Sequence, residues 1–268
     1  MPELHAVLNA REAFPRGLEQ PQGCLRFGAD ALLLAAFAAR HTAALPASPG
    51  RRLAAAELGC GCGAALLGLA LCCPAVNGLG LDREIELVRA AQRNALALGL
   101  AERLLFAAAD LADTAALRNL PHPLRRGRAA GTLDVALANP PFDVKGRPSP
   151  RPLRERALRT AQDDADALTL FCRAAAALLR QKGHFFCICH APSLPRMCVA
   201  LHAAGLGVRR MLPVRPHRNR PATRVLIEAR RGAAHDMVLE TPLTLHAAGH
   251  AAARRWTAAA LRFCPWLA

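Results

Sequence analysis

Tyrosine is absent from the 268 residues, lysine occurs only at Lys145 and Lys182, and aromatic residues make up 4%. No apolar run reaches the ~18 residues that a membrane span requires. Leu32 to Ala39 is followed at once by Arg40. The first twenty residues carry Glu3, Arg11, Glu12, Arg16 and Glu19 and contain no apolar segment of the secretory kind. Ten cysteines are present, none spaced Cys-x-x-Cys, so neither a zinc ribbon nor a redox pair is expected. Cys187 and Cys189 share one face of an apolar run, as small core residues do. Disorder is excluded by 53% hydrophobic and 21% charged residues. The expectation is a soluble, cytoplasmic protein with reduced thiols, no metal and no membrane partner. A monomer is favoured, with the oligomeric state otherwise open.

Charge is unevenly shared. The formal net charge is +15, of which residues 1–130 hold +3 and residues 131–268 hold +12. That asymmetry points to a polyanionic partner facing the second half, most simply nucleic acid.

Short apolar runs alternate with helical stretches, the signature of a parallel sheet covered by helices. Strands are expected at Leu53–Leu58, Val76–Leu81, Leu104–Ala109, Leu133–Ala138 and His184–Cys189. An antiparallel pair is expected near Val208–Val214 and Thr223–Ala229, and a strand-like stretch near Met237–Leu245. Helices are expected at Ala64–Cys72, Arg83–Leu98, about Thr160–Gln181, Ser193–Ala204 and near the C-terminus. Asp163, Asp164 and Asp166 suit the start of the helix that follows the fourth strand. No composition break marks a second domain. Residues 1–50 read as an N-terminal helical region, 51–246 as the core and 247–268 as an extension.

The sharpest local motif is Glu57-Leu58-Gly59-Cys60-Gly61-Cys62-Gly63, placed between a strand and a helix. Glycines there permit positive φ and close approach of a ligand to the backbone. The Gly-x-Gly-x-Gly spacing fits a pyrophosphate-binding turn less well, and no Gly-Lys-Ser/Thr follows as a P-loop would need. A cofactor without phosphates is favoured. Glu57 would suit a cationic ligand group. Asp82, 19 residues after Gly63, can accept from ribose hydroxyls, and Asp110 from an adenine amino group. Three consecutive strand ends thus carry acids along the edge where open α/β sheets bind ligands. S-adenosylmethionine fits this set best, with NAD-type nucleotides the alternative.

Asn139-Pro140-Pro141-Phe142 follows the fourth strand. An amino group conjugated to a planar π system is a poor nucleophile because its lone pair is delocalised. Two fixed acceptors, the Asn139 side-chain oxygen and the Pro140 carbonyl, would draw both N–H bonds and localise that pair. Phe142 offers a stacking face. The basic run Lys145, Arg147, Arg151, Arg154, Arg156 and Arg159 follows, with arginine forks suited to phosphates. A second arginine cluster covers Arg209, Arg210, Arg215, Arg218, Arg220 and Arg224. The low aromatic content does not support a general stacking platform, so one stacked base with phosphate contacts fits better.

These motifs resemble those of class I S-adenosylmethionine-dependent methyltransferases acting on planar amino or amide nitrogens. Arg26-Phe27-Gly28-Ala29-Asp30-Ala31-Leu32-Leu33-Leu34, Ser149 to Ala157 and Arg220-Pro221-Ala222-Thr223-Arg224-Val225-Leu226 resemble segments of the bacterial valine-tRNA adenine-N6 methyltransferases. The resemblance covers roughly residues 14–246. It implies a Rossmann-like seven-stranded, mostly parallel sheet with a reversed last strand and helices on both faces. It also implies methyl transfer to N6 of an adenine near the anticodon. On that basis Asn139, Pro140 and Phe142 would be catalytic. Glu57, Gly59, Gly61, Gly63, Asp82 and Asp110 would hold the cofactor, and Arg147, Arg151, Arg154 and Arg156 the RNA. Cys60 and Cys62 depart from the threonines common between the glycines, and Phe142 stands where many relatives have tyrosine. The region of Trp256 and Trp266 follows no family pattern. A glutamine-N5 methyltransferase acting on a protein would use the same turn, because an amide is also planar. The motifs also leave room for a non-catalytic RNA-binding protein of this fold and for a DNA methyltransferase.

Overall fold

The computed structural model describes residues 2–24, 26–43, 52–124, 127–141, 167–234, 236–247 and 255–268. Two helices lead the chain, α1 (Pro2–Ala13) and α2 (Ala29–Thr42). The alternating core follows as β1 (Leu53–Leu58), α3 (Ala64–Cys72), β2 (Val76–Asp82), α4 (Ile85–Ala97), β3 (Leu104–Ala108), α5 (Thr114–Asn119) and β4 (Leu133–Ala138). It continues with α6 (Ala167–Leu178), β5 (Leu179–His190), α7 (Leu194–Ala203), β6 (Leu206–Arg215) and β7 (Arg224–Arg231). The short strands β8 (Val238–Leu239) and β9 (Leu243–Thr244) and helix α8 (Ala258–Phe263) end it.

The seven long strands lie in the order β3-β2-β1-β4-β5-β7-β6. Strands β1 to β5 pair in parallel. β7 runs antiparallel to both β5 and β6, as the reversed last strand requires. Among the described residues the expected seven strands become nine, because the stretch near Met237–Leu245 forms two-residue strands that add to the outer edge of β6.

Alternate residues of the strands point into two separate apolar layers, so the sheet is covered on both faces, as parallel sheets are. Ala55, Val135, Leu137, Phe186 and Ile188 meet α2, α3, α4 and α8 on one face. Ala54, Ala56, Ala136, Phe185, Cys187 and Cys189 meet α5, α6 and α7 on the other. Cys187 and Cys189 are therefore small core residues, and all ten cysteines are free thiols. α2 is buried almost all round, from Ala31 to Ala39, which explains its unbroken apolar run. Among the described residues no helix is long and apolar enough to cross a membrane.

One expected element ends differently. The helix expected to run on to Gln181 stops at Leu178, and Leu179 to Lys182 belong to β5. Local propensity favours helix through Leu-Arg-Gln-Lys, but tertiary partners override it. Leu179 pairs with Leu133, and Arg180 Nε donates to the buried Asp134 carboxylate at 2.7 Å. Asp134 Oδ2 also accepts from the Ala54 N–H at 3.0 Å, so this pair ties β1, β4 and β5 together. The three aspartates expected to start the helix lie outside the described residues.

A second buried ionic group locks the reversed strand. Glu228 on β7 receives His184 Nδ1 at 2.8 Å from β5 and Arg210 Nε at 3.3 Å from β6. Arg210 reaches on to Glu240 at 3.3 Å. Burial pushes the Glu228 carboxyl up, but the bond and charge of His184, with His41 and Arg210, outweigh it and hold the group below its ordinary value.

Candidate active site

The strand order reverses between β1 and β4, and a cavity of about 410 Å³ opens at the carboxyl ends of the strands there. It lies within the ~300–1,000 Å³ usual for small-molecule sites.

The turn after β1 lines it through Gly59, Cys60, Gly61 and Cys62. Gly59, Gly61 and Gly63 have φ of +64°, +54° and +87°, a left-handed region that side chains disfavour. A Cβ at Gly63 would press on Phe106, Ala91 and Leu67 at 3.2–3.3 Å. A Cβ at Gly61 would meet no atom within 4 Å, so the turn leaves open space at the cavity. Cys60 and Cys62 are buried, and burial pushes the Cys62 thiol up to about 12. Both behave as small apolar residues rather than nucleophiles.

The acids at the strand ends have distinct surroundings. Glu57 is buried, and its Oε2 accepts from the Leu66 N–H at 2.8 Å, which anchors the first turn of α3. Burial drives its pKa up to about 8; the Leu66 bond opposes this and the Asp82 charge adds to it. Asp82 spans the turn: Oδ2 accepts from the Gly61 N–H at 2.8 Å and Oδ1 from the Glu84 N–H at 3.0 Å. Each carboxylate oxygen keeps acceptor capacity for a ligand. Desolvation raises the Asp82 pKa although both backbone bonds lower it. Asp110 is exposed, accepts from the Ala112 N–H at 2.9 Å and lines the cavity.

Asn139, Pro140 and Pro141 follow β4, the neighbour of β1 on the side away from β2, and line the same cavity. Asn139 is half-buried, and no hydrogen bond among the described residues engages its side chain. The structure thus brings Glu57, Gly59, Gly61, Asp82, Asp110, Asn139 and Pro140 to one cavity. Gly63 stands one turn behind, as N-cap of α3. Phe142, Arg147, Arg151, Arg154 and Arg156 lie outside the described residues.

Several supporting residues escape a reading of motifs. Asn94 on α4 donates to the Cys62 carbonyl at 3.0 Å and to the Glu19 carbonyl at 3.1 Å, and accepts from the Glu19 N–H at 2.7 Å. It clamps the glycine turn to the N-terminal segment. Its sequence signal is a polar residue on the apolar face of α4, between Ala91 and Ala95. Phe171 packs so close to Gly59 that a Cβ there would lie 3.1 Å from its ring. Arg224 Nε donates to Asp30 Oδ2 at 2.9 Å, an ion pair joining β7 to α2 across the cavity wall. Arg26, Arg83 and Glu84 also line the cavity.

No family model matches the chain. A stretch of 86 residues, 32% of this chain, is 40% identical to the release factor glutamine methyltransferase of Rhodospirillum rubrum and spans 22% of that protein. A predicted O-methyltransferase of Agrobacterium tumefaciens has a similar structure, with a TM-score of 0.65 at 20% identity over 89% of this chain and 97% of that one. A candidate RNA methyltransferase of Pyrococcus horikoshii superposes with a TM-score of 0.53 at 16% identity, covering 85% of this chain and 98% of its own. The chain shares the methyltransferase fold of these structures.

Proposed function

We propose that this chain is an S-adenosylmethionine-dependent methyltransferase that acts on the exocyclic N6 of an adenine in RNA, most simply a tRNA near its anticodon. The observation that carries this reading is one shared cavity. The glycine turn, three strand-end acids and Asn139-Pro140-Pro141 all line it. The residues present suit the cofactor. Open space at Gly61 admits a ligand against the backbone, Asp82 offers acceptors to vicinal hydroxyls, and Asp110 offers one to an amino group. When bound, S-adenosylmethionine supplies a methyl group on a cationic sulfur.

The chain's own work is to orient and polarise the acceptor amine. Asn139 Oδ1 and the Pro140 carbonyl each accept one N–H of the amino group, localising the nitrogen lone pair toward the cofactor side of the cavity. Fixed acceptors need no reorganisation during the reaction. No strong base is required, because the amine becomes acidic once it carries the fourth substituent, and its proton passes to solvent. Phe142 supplies the stacking face in this proposal, and Arg147, Arg151, Arg154 and Arg156 the phosphate contacts. The net +12 of residues 131–268 favours a polyanionic substrate. We take the chain as one methyltransferase domain acting in the cytoplasm.

The match to a release factor glutamine methyltransferase favours a second reading, transfer to the amide N5 of a protein glutamine by the same turn. The test supplies labelled cofactor together with unmodified tRNA or a release factor. Digestion and mass spectrometry then separate N6-methyladenosine from N5-methylglutamine. Label only in the protein fraction would replace the RNA reading by the second, and label in neither would refute both.

A further inference from the structure

The second arginine cluster is not one surface. Arg209 pairs with Asp236 at 3.2 Å, Arg210 with Glu228 and Glu240, and Arg215 Nε bonds Thr244 Oγ1 at 2.8 Å. Arg224 holds Asp30. Arg218 and Arg220 differ: both are exposed, and neither pairs with an acid among the described residues. They sit in the connection from β6 to β7. β6 runs parallel to β5 and therefore to β4, so this connection lies at the same sheet edge as Asn139. The Thr223 N–H donates to Val214 O at 2.9 Å and the Ala191 N–H to Thr223 O at 3.0 Å, which fixes the end of the loop against β6 and β5. Arg224, on the cavity wall, follows Arg220 by four residues, so their Cα atoms lie within ~14 Å of each other.

The same loop carries a ring. His217 is tilted against His246 with ring centroids 5.7 Å apart, and His246 stacks on Trp256 at 4.5 Å. The His246 backbone N–H donates to Pro216 O at 2.8 Å, so the segment that carries His246 is tied to the loop. His246 Nδ1 is buried with no hydrogen-bond partner among the described residues. An unpaired buried ring nitrogen costs stability, and this site keeps it while holding three rings in a row. A half-buried imidazole, His217, set against the His246 ring that itself stacks on Trp256, and carried in one loop with two exposed guanidinium groups, offers a stacking ring beside phosphate-binding cations, the two needs of a nucleic acid strand. An acidic peptide would use the cations and leave the ring stack idle.

We propose that the β6–β7 loop grips the RNA strand beside the target nucleotide, with Arg218 and Arg220 on its phosphates and His217, backed by His246 and Trp256, stacked on a flanking base. The inference rests on RNA as the substrate proposed above, and it assigns a role to the C-terminal segment around Trp256.

The experiment measures unmodified tRNA affinity across a salt series for the full chain and for Arg218→Gln/Arg220→Gln. The variant should bind more weakly, and the slope of log affinity against log salt should flatten by roughly 1.4–1.8 for two lost phosphate contacts. His217→Ala should weaken tRNA binding roughly tenfold and leave the slope unchanged, since stacking releases no counterions. S-adenosylmethionine affinity should match the parent in both. Parent affinity and slope in the double variant would overturn the loop whatever the methylation result. A flattened slope in a protein that methylates no RNA would support the loop and remove the transfer reading instead. Loss of release-factor binding with tRNA binding intact would overturn the loop in favour of an acidic protein surface.

Discussion

Glu57→Gln isolates the cost of keeping a carboxyl group under the glycine turn. In the unfolded chain the group ionises near 4.5, and in the folded chain near about 8. The folded state therefore holds this proton more tightly. Its contribution to stability is complete below about pH 4.5, falls as the pH rises, and is exhausted once the pH passes about 8. One pKa unit corresponds to about 1.4 kcal/mol, so the shift amounts to about 5 kcal/mol, of which roughly 3–4 kcal/mol falls between pH 5 and pH 9. Glutamine keeps a carbonyl acceptor for the Leu66 N–H and cannot ionise. The variant should unfold with about the parent's stability in mild acid and gain on the parent progressively toward alkaline pH. Urea titrations of both proteins across that range give the difference directly, and subtraction removes every other titrating group. A stability difference independent of pH would refute the reasoning. It would mean that the folded chain ionises Glu57 as easily as the unfolded one.

Asp82→Asn should weaken S-adenosylmethionine binding by about 1.5–3 kcal/mol, the range for hydrogen bonds to a charged group, as measured by calorimetry. Asn139→Ala should lower single-turnover methyl transfer by ~100-fold or more while cofactor affinity stays near the parent's, because its oxygen acts on the acceptor amine. Gly80→Ala would drive a Cβ into the Phe106 ring behind the glycine turn and should cost about 1–3 kcal/mol in denaturant unfolding. Glu228→Gln strips the acid from between His184 and Arg210 and should cost about 2–4 kcal/mol at neutral pH. The folded carboxyl is held below its ordinary value, so that contribution is complete above about 4.5 and is lost as acid protonates Glu228. The parent and variant stabilities should converge there.

Much of the framework was legible from sequence because its signals are local. β1, α3 and β4 end at the expected residues, since glycine and proline punctuate the chain next to short apolar runs. The glycine turn, Asp82 and Asn139 could be placed at one sheet edge because parallel β-α-β units send every strand the same way. Long-range pairing decided the rest. Leu179 to Lys182 read as helix until Asp134 and the start of β4 draw them into the sheet. Asn94, Phe171 and the Asp30–Arg224 pair join segments tens to hundreds of residues apart, and no spacing rule connects them. The arginines from 209 to 224 look alike as a string. Only the fold brings acids or a hydroxyl to four of them and leaves Arg218 and Arg220 in water, because a charge's partner is set by which strands lie side by side and not by its neighbours in the chain.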